Sequence, residues 1–257
     1  MTHIFGYAAG TERLDLKAVR LNQAGTLRIN LSRIILALKI LVSIILGLGI
    51  AREAVMAIIG TETVLKDLRH FTLDAERSLP TWYESSSMVA IAFILGIIAA
   101  LSRSNDRENT RHWTILAIIF LLMSVDSTVS FHEVAVAPLR NAFHLTGAFY
   151  FSWVVLAAPM VAAVGFYYLP FLFRLPGSTA LRFILAGAVY VGGALGTEFL
   201  CGYIATAFGM ETALYKTVAA SQEILESIGL TMFLIGLLRH LGSLASLLRI
   251  DIRAEPA

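Results

Sequence analysis

Asp126, His132 and Glu133 close a long apolar run, Trp113 to Met123, in the segment Ser124-Val125-Asp126-Ser127-Thr128-Val129-Ser130-Phe131-His132-Glu133. More acids interrupt later apolar runs: Glu198 in one, Glu223 and Glu226 in another. Ionisable side chains inside apolar spans are costly to bury, and by default they have partners and a task. On a continuous helix Asp126 and Glu133, a heptad apart, share a face. Glu223 and Glu226 are close neighbours on theirs.

If all were ionised, Asp126, Glu133, Glu198, Glu223 and Glu226 would gather a large negative charge, and Glu53 would add to it. Arg52, beside Glu53, offers a structural counter-charge. A dry site does not hold such an excess, because burial and like charges both favour the protonated carboxyl. Either several acids keep their protons or a multivalent cation sits among them. The candidate metal ligands are therefore Asp126, His132, Glu133, Glu198, Glu223 and Glu226. Carboxylates with at most one imidazole suit Mg, Mn, Ca or Fe, whereas a Zn or Cu site is more usually rich in His or Cys. The Glu-x-x-His pairs of di-iron helix bundles are replaced here by Glu-x-x-Glu and an adjacent His-Glu.

The elements that must position these residues follow from composition. The 257 residues are 57% hydrophobic, with mean hydropathy +0.75. That leaves too little polar surface to cover a soluble domain. The expected class is an all-α polytopic membrane helix bundle of about six spans. These run near 34–59, 86–101, 113–135, 149–173, 183–208 and 218–238, lengths that suit a hydrocarbon layer of about 30 Å. Residues 1–257 then form a single integral membrane domain. Its expected parts include a cytoplasmic amphipathic arm over 1–32, an outer interfacial helix over 61–84 and a cytoplasmic tail over 241–257. Val64, Leu68, Phe71, Ala75 and Leu79 give the interfacial segment its helical spacing. Lys and Arg crowd one side, with Arg103, Arg107, Arg111, Arg174, Arg182 and Arg239 among them. The other side receives Lys66, Arg69, Arg77, Arg140 and Lys216. The positive-inside rule places both termini in the cytoplasm. Asp126, Glu198 and Glu226 then share a depth of roughly 13 Å from the outer surface at ~1.5 Å per helical residue.

Other features have bland readings. Ala188, Gly192 and Gly196 form a small-x-x-x-small seam expected to face another helix. The single cysteine, Cys201, excludes an internal disulfide and reads as a packing residue. His70 and His144 read as solvated in outer loops, and His112 and His240 as meeting headgroups at the inner surface. The N-terminus carries no removable signal peptide pattern, and no segment has the character of a nucleic-acid module.

The segment at 124–133, Gly-Thr-Glu-Phe around Glu198 and Gln-Glu-Ile-Leu-Glu-Ser-Ile-Gly at 222–229 resemble a set of uncharacterised bacterial multi-pass membrane proteins. There an Asp-x5-His-Glu motif precedes a late Glu-x-x-Glu helix. In that set an Asp-Glu pair tends to come before Ile-His-Glu, and Glu-Glu-x-x-Glu opens the late helix. Here Ser127 replaces the second acid of the first pair, and Gln222 stands before Glu223. The resemblance spans the last half of the chain, implies a bacterial cytoplasmic (inner) membrane location and brings no activity with it.

Three functions fit these residues. The first is a divalent-metal-binding membrane protein with its site in the outer half of the bilayer; if it is an enzyme, its substrate would be lipid-like or amphipathic. The second is a proton- or cation-coupled transporter, since titrating carboxylates at mid-depth are what a relay needs. The third is a non-catalytic subunit whose acids pair with a membrane partner. Membrane lipids are partners in every case.

Overall fold

The structure is a computed structural model that describes residues 30–60, 64–75, 77–102 and 107–245. The chain divides at Asn30, and the membrane helices all belong to the unit from Leu31 onward. The expected arm over 1–32 lies almost wholly outside the described residues, as does the tail beyond Ala245.

Among the described residues six helices are long and apolar enough to cross a membrane. They are α1 (Leu31–Ile59), α2 (Leu79–Ser102), α3 (Arg107–Val129), α4 (Val154–Arg174), α5 (Gly177–Ala207) and α6 (Ala213–Ala245). There is no strand among the described residues, and the chain is an all-helical membrane bundle. The near face is the side on which α1 begins; the far face receives the chain after α1, α3 and α5.

Local sequence explains where these helices start and stop. In place of one interfacial helix over 61–84, the described residues form a 3-10 helix (Val64–Phe71), then bends and turns, then the first turns of α2. Ser78 sets that start. Its hydroxyl accepts the Thr81 backbone N–H at 3.3 Å and bonds the Thr81 hydroxyl at 3.0 Å, and Pro80 sits in the first turn. The third span also differs from expectation, ending at Val129 instead of running to Ala135. Ser130 takes a left-handed conformation with φ 57°, and short helices Phe131–Val134 and Val136–Phe143 come next.

α2 lies along α3, and the polar residues at their contact act as a clasp. The Ser85 hydroxyl bonds the Ser124 hydroxyl at 2.9 Å and the Thr128 hydroxyl at 2.8 Å, while Ser124 donates to the Ser85 carbonyl at 3.0 Å. Hydroxyls on facing helices are an ordinary membrane adhesive. α2 also meets α6, where the Tyr83 and Thr231 hydroxyls lie 2.6 Å apart. Toward the near face these helices close on an apolar core that includes Ile91, Leu95, Ile98, Trp113, Phe171, Leu230, Leu234 and Leu237. His112 and His240 belong to this aromatic packing rather than to the headgroup level. His112 stacks on Phe171 at 4.9 Å, and His240 lies 5.3 Å from Trp113. His70 and His144 are exposed, as expected.

The seam of Ala188, Gly192 and Gly196 is corrected by the structure. All of them are exposed, and a Cβ on Gly192 or Gly196 would meet nothing within 4 Å. The close approach is made instead by Gly193 and Gly229. A Cβ on Gly193 would lie 2.9 Å from the Leu225 Cβ, and one on Gly229 would lie 2.6 Å from the Tyr190 nitrogen. The face of α5 that meets α6 runs through Phe183, Ala186, Tyr190 and Gly193 at helical spacing, which leaves Ala188 and Gly192 outside it; a π-helical turn, Gly192–Thr197, begins there. The Thr197 hydroxyl donates to the Gly193 carbonyl inside that turn.

Candidate functional site

The site begins at the broken end of α3. Because Ser130 turns the chain, His132 folds back over Asp126 in place of continuing the helix. Its backbone N–H donates to Asp126 Oδ1 at 3.0 Å, and its Nδ1 lies 2.8 Å from Asp126 Oδ2. The same turn separates Glu133 from Asp126, and Glu133 is exposed; the face these acids would share on an unbroken helix does not exist.

The His132 ring lies 4.8 Å from the ring of Trp153, at the head of α4. Trp153 Nε1–H donates to Glu198 Oε1 at 3.1 Å. Glu198 comes directly after the π-helical turn of α5. Gln222 on α6 lies close to both Glu198 and Glu226. Glu226 and Glu223 lie within range of each other's charge, and both within range of Glu84 on α2. The Glu84 Oε1 accepts the Ser227 hydroxyl at 2.8 Å, and Glu84 is only 5% exposed. Tyr190 on α5 faces the same group of acids.

Glu198, Glu223 and Glu226 are therefore brought together, and Asp126 with His132 reaches them through Trp153. Arg52 and Glu53 pair with one another at 2.7 Å. Glu198, Glu223, Glu226 and Glu84 have no ion pair with Lys or Arg among the described residues. The hydrogen-bond partners of Glu84 and Glu198 are a serine hydroxyl and an indole, both neutral. Among the described residues no group of three or more His, Cys, Asp or Glu is arranged to hold a metal ion.

The buried acid that sequence reading missed is Glu84. The apolar spacing over 61–84 assigns it to an interfacial segment, but α2 starts at Leu79 and carries it into the bundle. Ser78-Leu79-Pro80-Thr81 holds the signal, since a capping Ser before Pro is a helix start. Trp153 and Gln222 are not among the sequence-derived candidates either; Trp153 bonds Glu198, and Gln222 lies beside it.

Asp74 lies outside the spans, between the 3-10 helix and α2. Its side chain reaches solvent, yet burial on its other sides, followed by the charge of Glu53, pushes its carboxyl above the usual carboxylate range. The folded state thus holds this proton more tightly than the unfolded chain does. The resulting stabilisation is complete below the unfolded-state value and is lost as pH rises through the folded-state value. Asp74→Asn is expected to raise Tm at neutral pH and to flatten the gain on acidification in a pH series of thermal unfolding. An unaltered pH dependence would show that Asp74 carries no such linkage.

An all-helical bundle whose described residues include six helices long and apolar enough to span a membrane is the class that the fold defines. The chain belongs to the family described as a domain of unknown function (DUF8692), whose model matches residues 35–241. No curated protein and no solved structure matches it.

Proposed function

We propose that the protein is a proton-coupled membrane transporter, or a proton-driven switch of the same build, in which the carboxylate cluster loads protons from the far face. The observation that carries this reading is the set of partners. Glu84 and Glu198 accept neutral donors, and no Lys or Arg pairs with them or with Glu223 and Glu226 among the described residues, so protons are the simplest balance for their charge. Asp126 and His132 stand at the far-face end of this group and suit proton transfer between water and the cluster. On the positive-inside expectation that face is the non-cytoplasmic one.

Coupling to movement rests on α5. Its π-helical turn ends beside Glu198, and Gly193 within it lies against Leu225 and Glu226. π-bulges are frequent at functional sites because their backbone hydrogen bonds have more than one good arrangement. Loss or gain of a proton at Glu226 changes the repulsion across this contact. The near half, filled by Ile91, Leu95, Ile98, Leu234 and Leu237, is closed in this arrangement. Release toward the near face therefore requires α5 and α6 to shift.

The test is infrared difference spectroscopy of the purified protein across a pH step, beside metal analysis of the same sample. Protonated-carboxyl C=O bands that titrate and that diminish in Glu226→Gln are expected. One divalent ion per chain, lost in Glu198→Gln, with no protonated-carboxyl band, would overturn the reading in favour of a metal site.

A further inference from the structure

The far face holds a second polar feature that the carboxylate cluster does not use. Arg69, His70, Ala75 and Arg77 line a recess of about 350 Å³ in the segment between α1 and α2. The cations of that face are otherwise engaged where they are described. The Arg140 guanidinium lies 4.4 Å from the centre of the Tyr150 ring, and Lys216 pairs with Glu211 at 3.0 Å. Arg69, His70 and Arg77 have no side-chain partner among the described residues. Glu76, between Ala75 and Arg77, lies outside the described residues.

The backbone under this recess is fixed. Leu73 is 1% exposed and packs with Val42, Ile45, Leu46 and Tyr83. The Thr81 hydroxyl donates to the Ala75 carbonyl at 3.0 Å, tying the recess to the first turn of α2. Arg77 has φ 60°, a left-handed conformation that side chains other than glycine rarely adopt. A glycine would take that conformation without strain, so the arginine is there at a cost. Trp82, one turn further and 59% exposed, marks the headgroup level.

From this we infer that Arg69, His70 and Arg77 form a binding site for a phosphate-type anion on the far face. Guanidinium groups match phosphate oxygens in a bidentate fork, and two of them on a fixed backbone need little ordering to do so. The same chemistry is offered by a phospholipid headgroup and by free phosphate.

The test uses the purified full-length chain. Thermal unfolding is followed in detergent with inorganic phosphate titrated against chloride at constant ionic strength. It is then repeated in nanodiscs of phosphatidylcholine with or without phosphatidylglycerol. A saturable rise in Tm is expected with at least one of these probes. In the Arg69→Gln/Arg77→Gln double variant the midpoint should move roughly tenfold or more to higher concentration, because two charge-assisted contacts are lost. Arg77→Gly removes one guanidinium while relieving the backbone, so it should keep its Tm in chloride and still respond more weakly. A response to phosphatidylglycerol alone identifies a lipid headgroup as the source; a response to phosphate identifies a soluble anion as sufficient. Glu226→Gln should respond as the wild type does, which separates this site from the carboxylate cluster. No response to either probe, or equal responses in wild type and double variant, would overturn the inference.

Discussion

Gly229→Leu is expected to unfold at a much lower temperature than wild type in detergent, by roughly 10 °C, whereas Gly192→Leu should stay within about 2 °C. The difference lies in what each new side chain meets. A Cβ at 229 would stand 2.6 Å from the Tyr190 nitrogen and 2.8 Å from its Cα, and a helix backbone cannot swing aside as a side chain can. Overpacking of a core usually costs about 1–3 kcal/mol, and displacing α5 from α6 belongs at or beyond the upper end. At 192 the surroundings are open. Gly193→Leu should resemble Gly229→Leu, since its Cβ would lie 2.9 Å from the Leu225 Cβ and 3.1 Å from the Glu226 nitrogen. Circular dichroism melting of these variants decides the matter. A severe Gly192→Leu beside a mild Gly229→Leu would mean that α5 is rotated and that the cluster is assembled differently.

This contrast also shows how far the sequence carries. Composition and apolar run length are enough for six membrane helices, because bilayer thickness dictates span length whatever the packing. Acids on α3, α5 and α6 are legible for the same reason: charge is rare in such spans. The facing of α5 is not. Gly192 and Gly193 are adjacent, and small-residue spacing does not say which of two neighbouring glycines continues the packed face of Phe183, Ala186 and Tyr190. The break after α3 is hidden too. Ser130 adopts a left-handed conformation without the Gly that usually announces one, and it decides that His132, not Glu133, meets Asp126. Glu84 needs the start of α2 to be placed at Ser78, where a short capping signal competes with a longer amphipathic pattern.

Glu226→Gln is expected to remove proton uptake by the cluster while leaving Tm within about 2 °C of wild type, since Gln and a protonated Glu are nearly isosteric and equally uncharged. The position is central: Glu226 lies close to Gln222, as Glu198 does, is within range of Glu84 and packs beside Gly193 of the π-helical turn. A fixed neutral group there should also hold α5 in one arrangement, so any pH-driven change in α5–α6 distance, read by spin labels on the exposed Leu185 and Ile228, should vanish. Glu84→Gln tests the same cluster from the other side. Its amide oxygen still accepts the Ser227 hydroxyl, and its amide hydrogens can donate to Glu226 or Glu223, so folding should survive here as well. Proton uptake should then persist with one carboxyl fewer. The two variants part company if a divalent cation is the true balancing charge. Removing a carboxylate ligand then weakens metal binding and lowers Tm together, by several degrees in either variant. Thermal unfolding with and without chelator, beside pH-step proton uptake in liposomes, separates these outcomes. Wild-type liposomes that take up no protons beyond those of Glu226→Gln liposomes would remove the ground for proton coupling, whatever the stability of the variants.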